Sequence, residues 1–95
     1  MSISIRMQLY TQPNCDFCDI MKMKLKEWKY DFEIIDITKQ NWAKEFLKTR
    51  GHKTVPQLYW NNSHLNEVDT LEFTRDMLEE KLDYESYVGG VENFR

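Results

Sequence analysis

The segment Cys15-Asp16-Phe17-Cys18 decides how the rest of the chain reads. Its two cysteines are the only ones among 95 residues, too close together to tie distant parts of a small domain and too few to build a disulfide framework. Redox chemistry or metal binding remains. Just before the pair, Met7 to Tyr10 is a short run of β-favouring side chains closed by polar residues, a strand signal. Just after it, Cys18, Met21, Leu25 and Trp28 recur at three- and four-residue steps among Lys22, Lys24, Lys26 and Glu27, which predicts an amphipathic helix over 16–28. A Cys-x-x-Cys at the junction of strand and helix sets its first sulfur among free backbone N–H groups at the positive end of the helix dipole, where a thiolate is favoured. An ordinary thiol is only slightly ionised at neutral pH, so a depressed pKa is what readies it to attack a disulfide. Cys15 is the expected nucleophile. Cys18, one turn further on, is expected to attack the resulting mixed disulfide and release the substrate thiol.

Outward from this centre, Phe32 to Ile37 reads as a second strand, and a strand-helix-strand unit of this length predicts a parallel pair. A second helix is expected from Gln40 to about Arg50, with Trp42, Ala43, Phe46 and Leu47 on one side and Gly51 ending it. Val55 to Trp60 reads as a strand that starts beside a proline, and Asn61-Asn62-Ser63 as a turn leading to a hairpin partner at His64-Leu65. Asp69, with Glu72 three residues on, is the expected cap of a third helix reaching Leu82, with Leu71, Leu78 and Leu82 on its inner face. Tyr84 to Arg95 shows no clear period and reads as an extended segment running into a turn at Gly89-Gly90.

Length and composition bound the function. A single domain over 1–95 is expected, and 41% hydrophobic against 31% charged residues is a globular balance. No apolar run approaches the length needed to span a bilayer, so no membrane partner is expected. Met1 to Arg6 lacks the pattern of a secretory signal, which makes the cytoplasm the expected compartment. A net charge of −3 argues against a nucleic-acid partner, since phosphate binding needs a basic surface. A zinc site built from Cys15, Cys18, His52 and His64 is the competing use of the cysteines, but the histidine spacing fits no compact finger.

The strand-helix-strand opening with its Cys-x-x-Cys, followed by Thr54-Val55-Pro56-Gln57 ahead of a strand, resembles the glutaredoxins of the thioredoxin-fold superfamily. The resemblance covers roughly residues 5 to 66 and implies an α/β fold, a small mixed four-stranded sheet flanked by helices. It implies a cis Val55–Pro56 bond beside Cys15, with Thr54 and the backbone of Val55 forming the edge that pairs with glutathione. Phe17 matches the aromatic usual at its position and would flank the substrate groove. The family holds the glycine carboxylate of glutathione with basic or polar side chains. Here Gln12 stands at one such position without a charge, so Lys53, with Arg50 or His52, would carry more of the attraction. Where the family has Gly-Gly after its fourth strand, this chain has Leu65-Asn66-Glu67. Either Tyr87-Val88 is the fourth strand and Gly89-Gly90 with Glu92 performs the family role, or His64-Leu65 is that strand and the tail is peripheral. The first arrangement is preferred, which makes Gly90 and Glu92 expected glutathione contacts.

Asp16 stands where most dithiol members carry proline. A carboxylate about 6 Å from a sulfur, at an effective dielectric near 40, disfavours the thiolate by roughly tenfold, so Cys15 should be less acidic than its counterparts. The function that the resemblance implies is glutathione-dependent reduction of protein disulfides or glutathione mixed disulfides by a monomer. Glutathione would be co-substrate, with no tightly bound cofactor, and a disulfide-bearing protein such as ribonucleotide reductase the client. A thioredoxin-like donor recharged by a flavoprotein reductase is the near alternative. An iron–sulfur binding module is the distant one, and Cys18 argues against it, since such members are mostly monothiol.

Overall fold

The computed structural model describes residues 6–92, with side chains as far as residue 83. Strand β1 (Arg6–Thr11) leads into helix α1 (Asp16–Glu27), then β2 (Asp31–Asp36), α2 (Asn41–Thr49), β3 (Gln57–Trp60), β4 (Ser63–His64) and α3 (Arg75–Glu92). The strands form one sheet in the order β2-β1-β3-β4. β1 runs parallel to β2, with Leu9 opposite Ile34, and antiparallel to β3, with Leu9 opposite Leu58. The sheet is therefore mixed, as expected.

Alternation along the central strands divides the core in two. Met7, Leu9 and Leu58 face α1 and α3, where they meet Met21, Leu25, Phe73, Leu78 and Leu82. Tyr10 and Tyr59 face the other way and pack with Ala43 and Leu47 of α2. Helix α1 stops as its sequence permits: Lys29 turns left-handed at φ 65°, Tyr30 N–H donates to Leu25 C=O at 3.0 Å and Lys29 N–H to Lys26 C=O at 3.0 Å. This is a Schellman closure with lysine in the usual glycine position. Gly51, at φ 81°, follows α2, where only glycine takes that conformation freely. Asn61 and Asn62, at φ 51° and 66°, make a tight hairpin turn of the primed type between β3 and β4.

Three expectations change. The third helix starts at Arg75. Asp69 heads a turn instead, its C=O accepting from Glu72 N–H at 2.9 Å and Phe73 N–H at 3.0 Å, and the cap is Thr74, whose Oγ1 accepts from Met77 N–H at 3.2 Å. Leu71 consequently lies exposed outside the helix. Second, the helix continues through Tyr87-Val88 and Gly89-Gly90 to Glu92, so the fourth strand is Ser63–His64 and no strand precedes the glycine pair. Local propensity against Gly-Gly in a helix is worth only about 1 kcal/mol per glycine, little enough for a helix already nucleated upstream to run past it. Third, Trp42 is 55% exposed and touches Tyr10 edge-on, while Ala43 and Leu47 form the buried stripe of α2.

Candidate active site

Cys15 is the residue that begins α1. Asn14, at φ 58°, turns the chain out of β1, and Cys15 itself is extended, with φ −117° and ψ 105°, the usual backbone of a helix cap. Its Sγ accepts from Cys18 N–H at 3.1 Å. The two cysteines are joined by a disulfide, their Cα atoms 5.2 Å apart, within the ordinary range for such a bond. Cys18 is fully buried on the inner face of α1, whereas Cys15 is only partly buried. Only the first sulfur therefore faces an incoming reagent.

The Val55–Pro56 bond is cis, as the resemblance implied, and the Val55 carbonyl oxygen lies 3.9 Å from Cys15 Sγ. Side chains hold this loop on both sides. Asn66, buried just past β4, donates from Nδ2 to Pro56 C=O at 3.1 Å and accepts at Oδ1 from Leu58 N–H at 2.8 Å. Gln57 Nε2 donates to Thr54 C=O at 3.0 Å, which leaves Gln57 Oε1 to accept from His64 Nε2 at 2.7 Å and so assigns the proton to that ring nitrogen. The His64 ring stacks obliquely on His52 with centroids 4.6 Å apart, and His52 Nε2 shares a 2.6 Å hydrogen bond with Tyr59 Oη. Burial, then the Arg50 charge, lowers the pKa of His52; burial, then His52, lowers that of His64.

Two clefts meet at Thr54 and Val55. One is lined by Gln12, Lys44, Lys48, Lys53 and His52. The other is lined by Phe17, Pro56, His64, Asn66, Glu67, Asp69 and Thr70, among others. Gln12 and Lys53 thus line the first cleft, Phe17 and Pro56 the second, and Thr54 and Val55 both, with Val55 placed against Cys15 Sγ. Gly90 and Glu92 do not join them by the expected route: both lie in α3, and the backbone that directly follows β4 is Leu65-Asn66-Glu67. The Glu92 side chain lies outside the described residues.

Sequence reasoning missed Asn66, Gln57 and Lys24. Asn66 carried no signal of its burial, since an asparagine where the chain leaves a strand reads as a surface turn residue. Lys24 carried none, since its place on the polar side of α1 reads as solvated. Its Nζ in fact donates to Thr70 C=O at 2.7 Å and Phe73 C=O at 2.7 Å, pinning the turn that walls the second cleft to α1. Among the described residues no three His, Cys, Asp or Glu side chains gather as metal ligands, and no helix is long and apolar enough to cross a membrane.

A sequence model of the glutaredoxin family matches residues 7–65. Glutaredoxin 1 of Rickettsia conorii is 33% identical over 66 residues, covering 66% of this chain, and the chain spans 65% of that protein's length. Among solved structures, the glutaredoxin-like NrdH-redoxin of Escherichia coli, described as having a thioredoxin-like activity profile, is similar at 25% identity with a TM-score of 0.60, over 63% of this chain and 79% of that one. Glutaredoxin from Brucella melitensis is similar at 25% identity with a TM-score of 0.61, over 90% and 91%. With the cysteine pair at the head of α1 and the cis-proline loop facing it, the chain belongs to the glutaredoxin family of thiol-disulfide oxidoreductases.

Proposed function

We propose that this protein reduces protein disulfides or glutathione mixed disulfides, with Cys15 attacking, Cys18 resolving and glutathione restoring the dithiol. The observation that carries the reading is the asymmetry of the pair: a partly buried Cys15 at a helix N-terminus bonded to a wholly buried Cys18. In the dithiol form, the Cys18 N–H and the dipole of α1 favour the Cys15 thiolate. That thiolate attacks one sulfur of the substrate disulfide; a Cys15–substrate disulfide forms and the other substrate sulfur leaves as a thiolate that takes a proton. Cys18, losing its proton, then attacks Cys15 Sγ, closing the Cys15–Cys18 disulfide and expelling the second substrate thiol. Two glutathione thiols reverse the cycle and leave as glutathione disulfide.

Glutathione suits the charge pattern around Val55. Lys44, Lys48 and Lys53 with Gln12 supply the cationic side for the glycine carboxylate, and Asp69 with Thr70 supplies oxygens for the γ-glutamyl ammonium. The setting of this reading is a cytoplasmic monomer with glutathione as exchanging co-substrate and a disulfide-bearing protein, such as a ribonucleotide reductase, as client. Recharging by a flavoprotein reductase is the second reading. It is favoured by Asn66-Glu67 in place of Gly-Gly and by the similarity to NrdH-redoxin.

Coupled NADPH assays separate the two. Oxidised protein supplied with glutathione and glutathione reductase should turn over a glutathionylated substrate. Turnover only with thioredoxin reductase would transfer the proposal to the second reading. Cys15→Ser should abolish all turnover, and activity surviving in that variant would defeat the assignment of the nucleophile. Cys18→Ser should keep mixed-disulfide reduction while losing reduction of protein disulfides.

A further inference from the structure

The cleft lined by Phe17, Val55 and Pro56 continues beyond the part that glutathione needs. It runs past Val68 and Leu71, then shares Glu67 and Val68 with a depression against α3 floored by Leu65 and Phe73 and edged by Met77. Its rim is unusually apolar for free surface: Phe17 is 52% exposed, Leu71 66% and Met77 41%. Exposed apolar side chains that line one continuous path from a reactive centre mark a binding surface.

The charges lining this path are mostly negative. Glu67, Asp69 and Glu72 line the part nearer the disulfide, and no lysine or arginine does. Further along, Glu80 adds another carboxylate, while Lys81, the one cation there, is spent on Glu67 at 3.1 Å. The histidines at the cleft add little positive charge near neutrality, because burial lowers the pKa of both. The lysines of the site all lie in the other cleft, across Thr54 and Val55. Beyond Asp69 and Thr70 the acidic path offers nothing further to an anionic tripeptide, whereas a longer segment with apolar and cationic side chains is complementary to it.

We propose that the path from Phe17 to Met77 docks the client: an extended segment of a disulfide-bearing protein whose reactive cysteine is flanked by apolar and basic side chains. This rests on Cys15 being the attacking sulfur. The segment lays its cysteine against Cys15, its apolar side chains on Leu71 and Met77, and its cations against Glu72 and Glu80. Glutathione spans Thr54 and Val55, its glycine carboxylate in the lysine-lined cleft and its γ-glutamyl end at Asp69 and Thr70, whereas the client segment runs on past Glu72 to Glu80.

The test uses full-length protein, reduced and freed of reductant, in single turnover against cysteine peptides carried as mixed disulfides with thionitrobenzoate, whose release is followed by absorbance. Peptides with Lys-Leu, Glu-Leu and Lys-Ser flanks are compared. The Lys-Leu peptide should react about tenfold faster than the Glu-Leu peptide, the order of effect that electrostatic steering gives at low salt, and the gap should shrink at high salt. The double variant Glu72→Lys, Glu80→Lys should narrow or invert that order, and Leu71→Ser should remove the advantage of Lys-Leu over Lys-Ser. Reduction of the mixed disulfide of glutathione with 2-mercaptoethanol should stay within twofold in both variants. Equal rates for the three peptides with the wild-type protein, or an order unchanged in the charge variant, would overturn the docking surface. A retained peptide preference in a protein that glutathione fails to recharge would remove the proposed reductant and leave the docking surface standing.

Discussion

At the scale of single residues, the chemistry rests on what surrounds one sulfur. Cys15 caps the helix start with the Cys18 N–H on its sulfur, and the carboxylate of Asp16, next in the chain, should oppose a negative charge there. The opposition can be measured. Asp16→Asn removes the repulsion and keeps a side chain suited to a first helical turn, so the reduced protein should be alkylated by iodoacetamide several-fold faster near neutral pH, up to about tenfold. An unchanged rate would mean that solvent screens the exposed Asp16 completely. The cysteine pair and Pro56 were legible because each is a rare residue type whose spacing and neighbours carry chemical meaning. Asn66 was not placed in the loop's support, because an amide that accepts from one backbone group and donates to another is indistinguishable in sequence from a surface asparagine.

At the scale of elements, periodicity made α1, α2 and the strands legible to within a few residues, since their buried positions repeat at the spacing their geometry demands. It failed between residues 66 and 92 for identifiable reasons. Two capping signals stand five residues apart, Asp69 with Glu72 and Thr74 with Met77, and only packing chose the second: Phe73 must enter the core as the chain turns, which leaves Leu71 outside. Lys24 holds that turn in place. Lys24→Met keeps the stem and helix propensity but leaves the Thr70 and Phe73 carbonyls without their cationic donor. Thermal or urea unfolding should show a loss of about 1.5–3 kcal/mol, the usual worth of hydrogen bonds to a charged group, and amide exchange should quicken over 70–73 ahead of the rest of the protein. A loss below about 0.5 kcal/mol would mean that water replaces the lysine at no cost.

At the scale of the whole molecule, the paired histidines beside β3 and β4 predict a fold that loses stability in acid. His52 and His64 have lowered pKa values in the folded state, so between those values and the ordinary histidine range the unfolded chain binds more protons than the native one. Their contribution is fully present above about pH 6.5, the unfolded value, and is lost as pH falls through the folded values. The Tm should therefore fall between pH 7.5 and 5.5, and His64→Gln should flatten that part of the profile, since glutamine can still donate to Gln57 but cannot be charged. A profile of the same slope in the variant would place the acid sensitivity elsewhere.

The edge position of β2 has a consequence for how the protein behaves in company. With β1 on one side only, β2 is the terminal strand of the sheet among the described residues, and its outer margin offers unpaired peptide groups to any other strand. Asp31, Glu33 and Asp36 stand along it, beside an Ile34 that is 51% exposed. Two copies approaching through this margin would set carboxylate against carboxylate, so the strand most open to self-templating is also the one where crowding is electrostatically penalised.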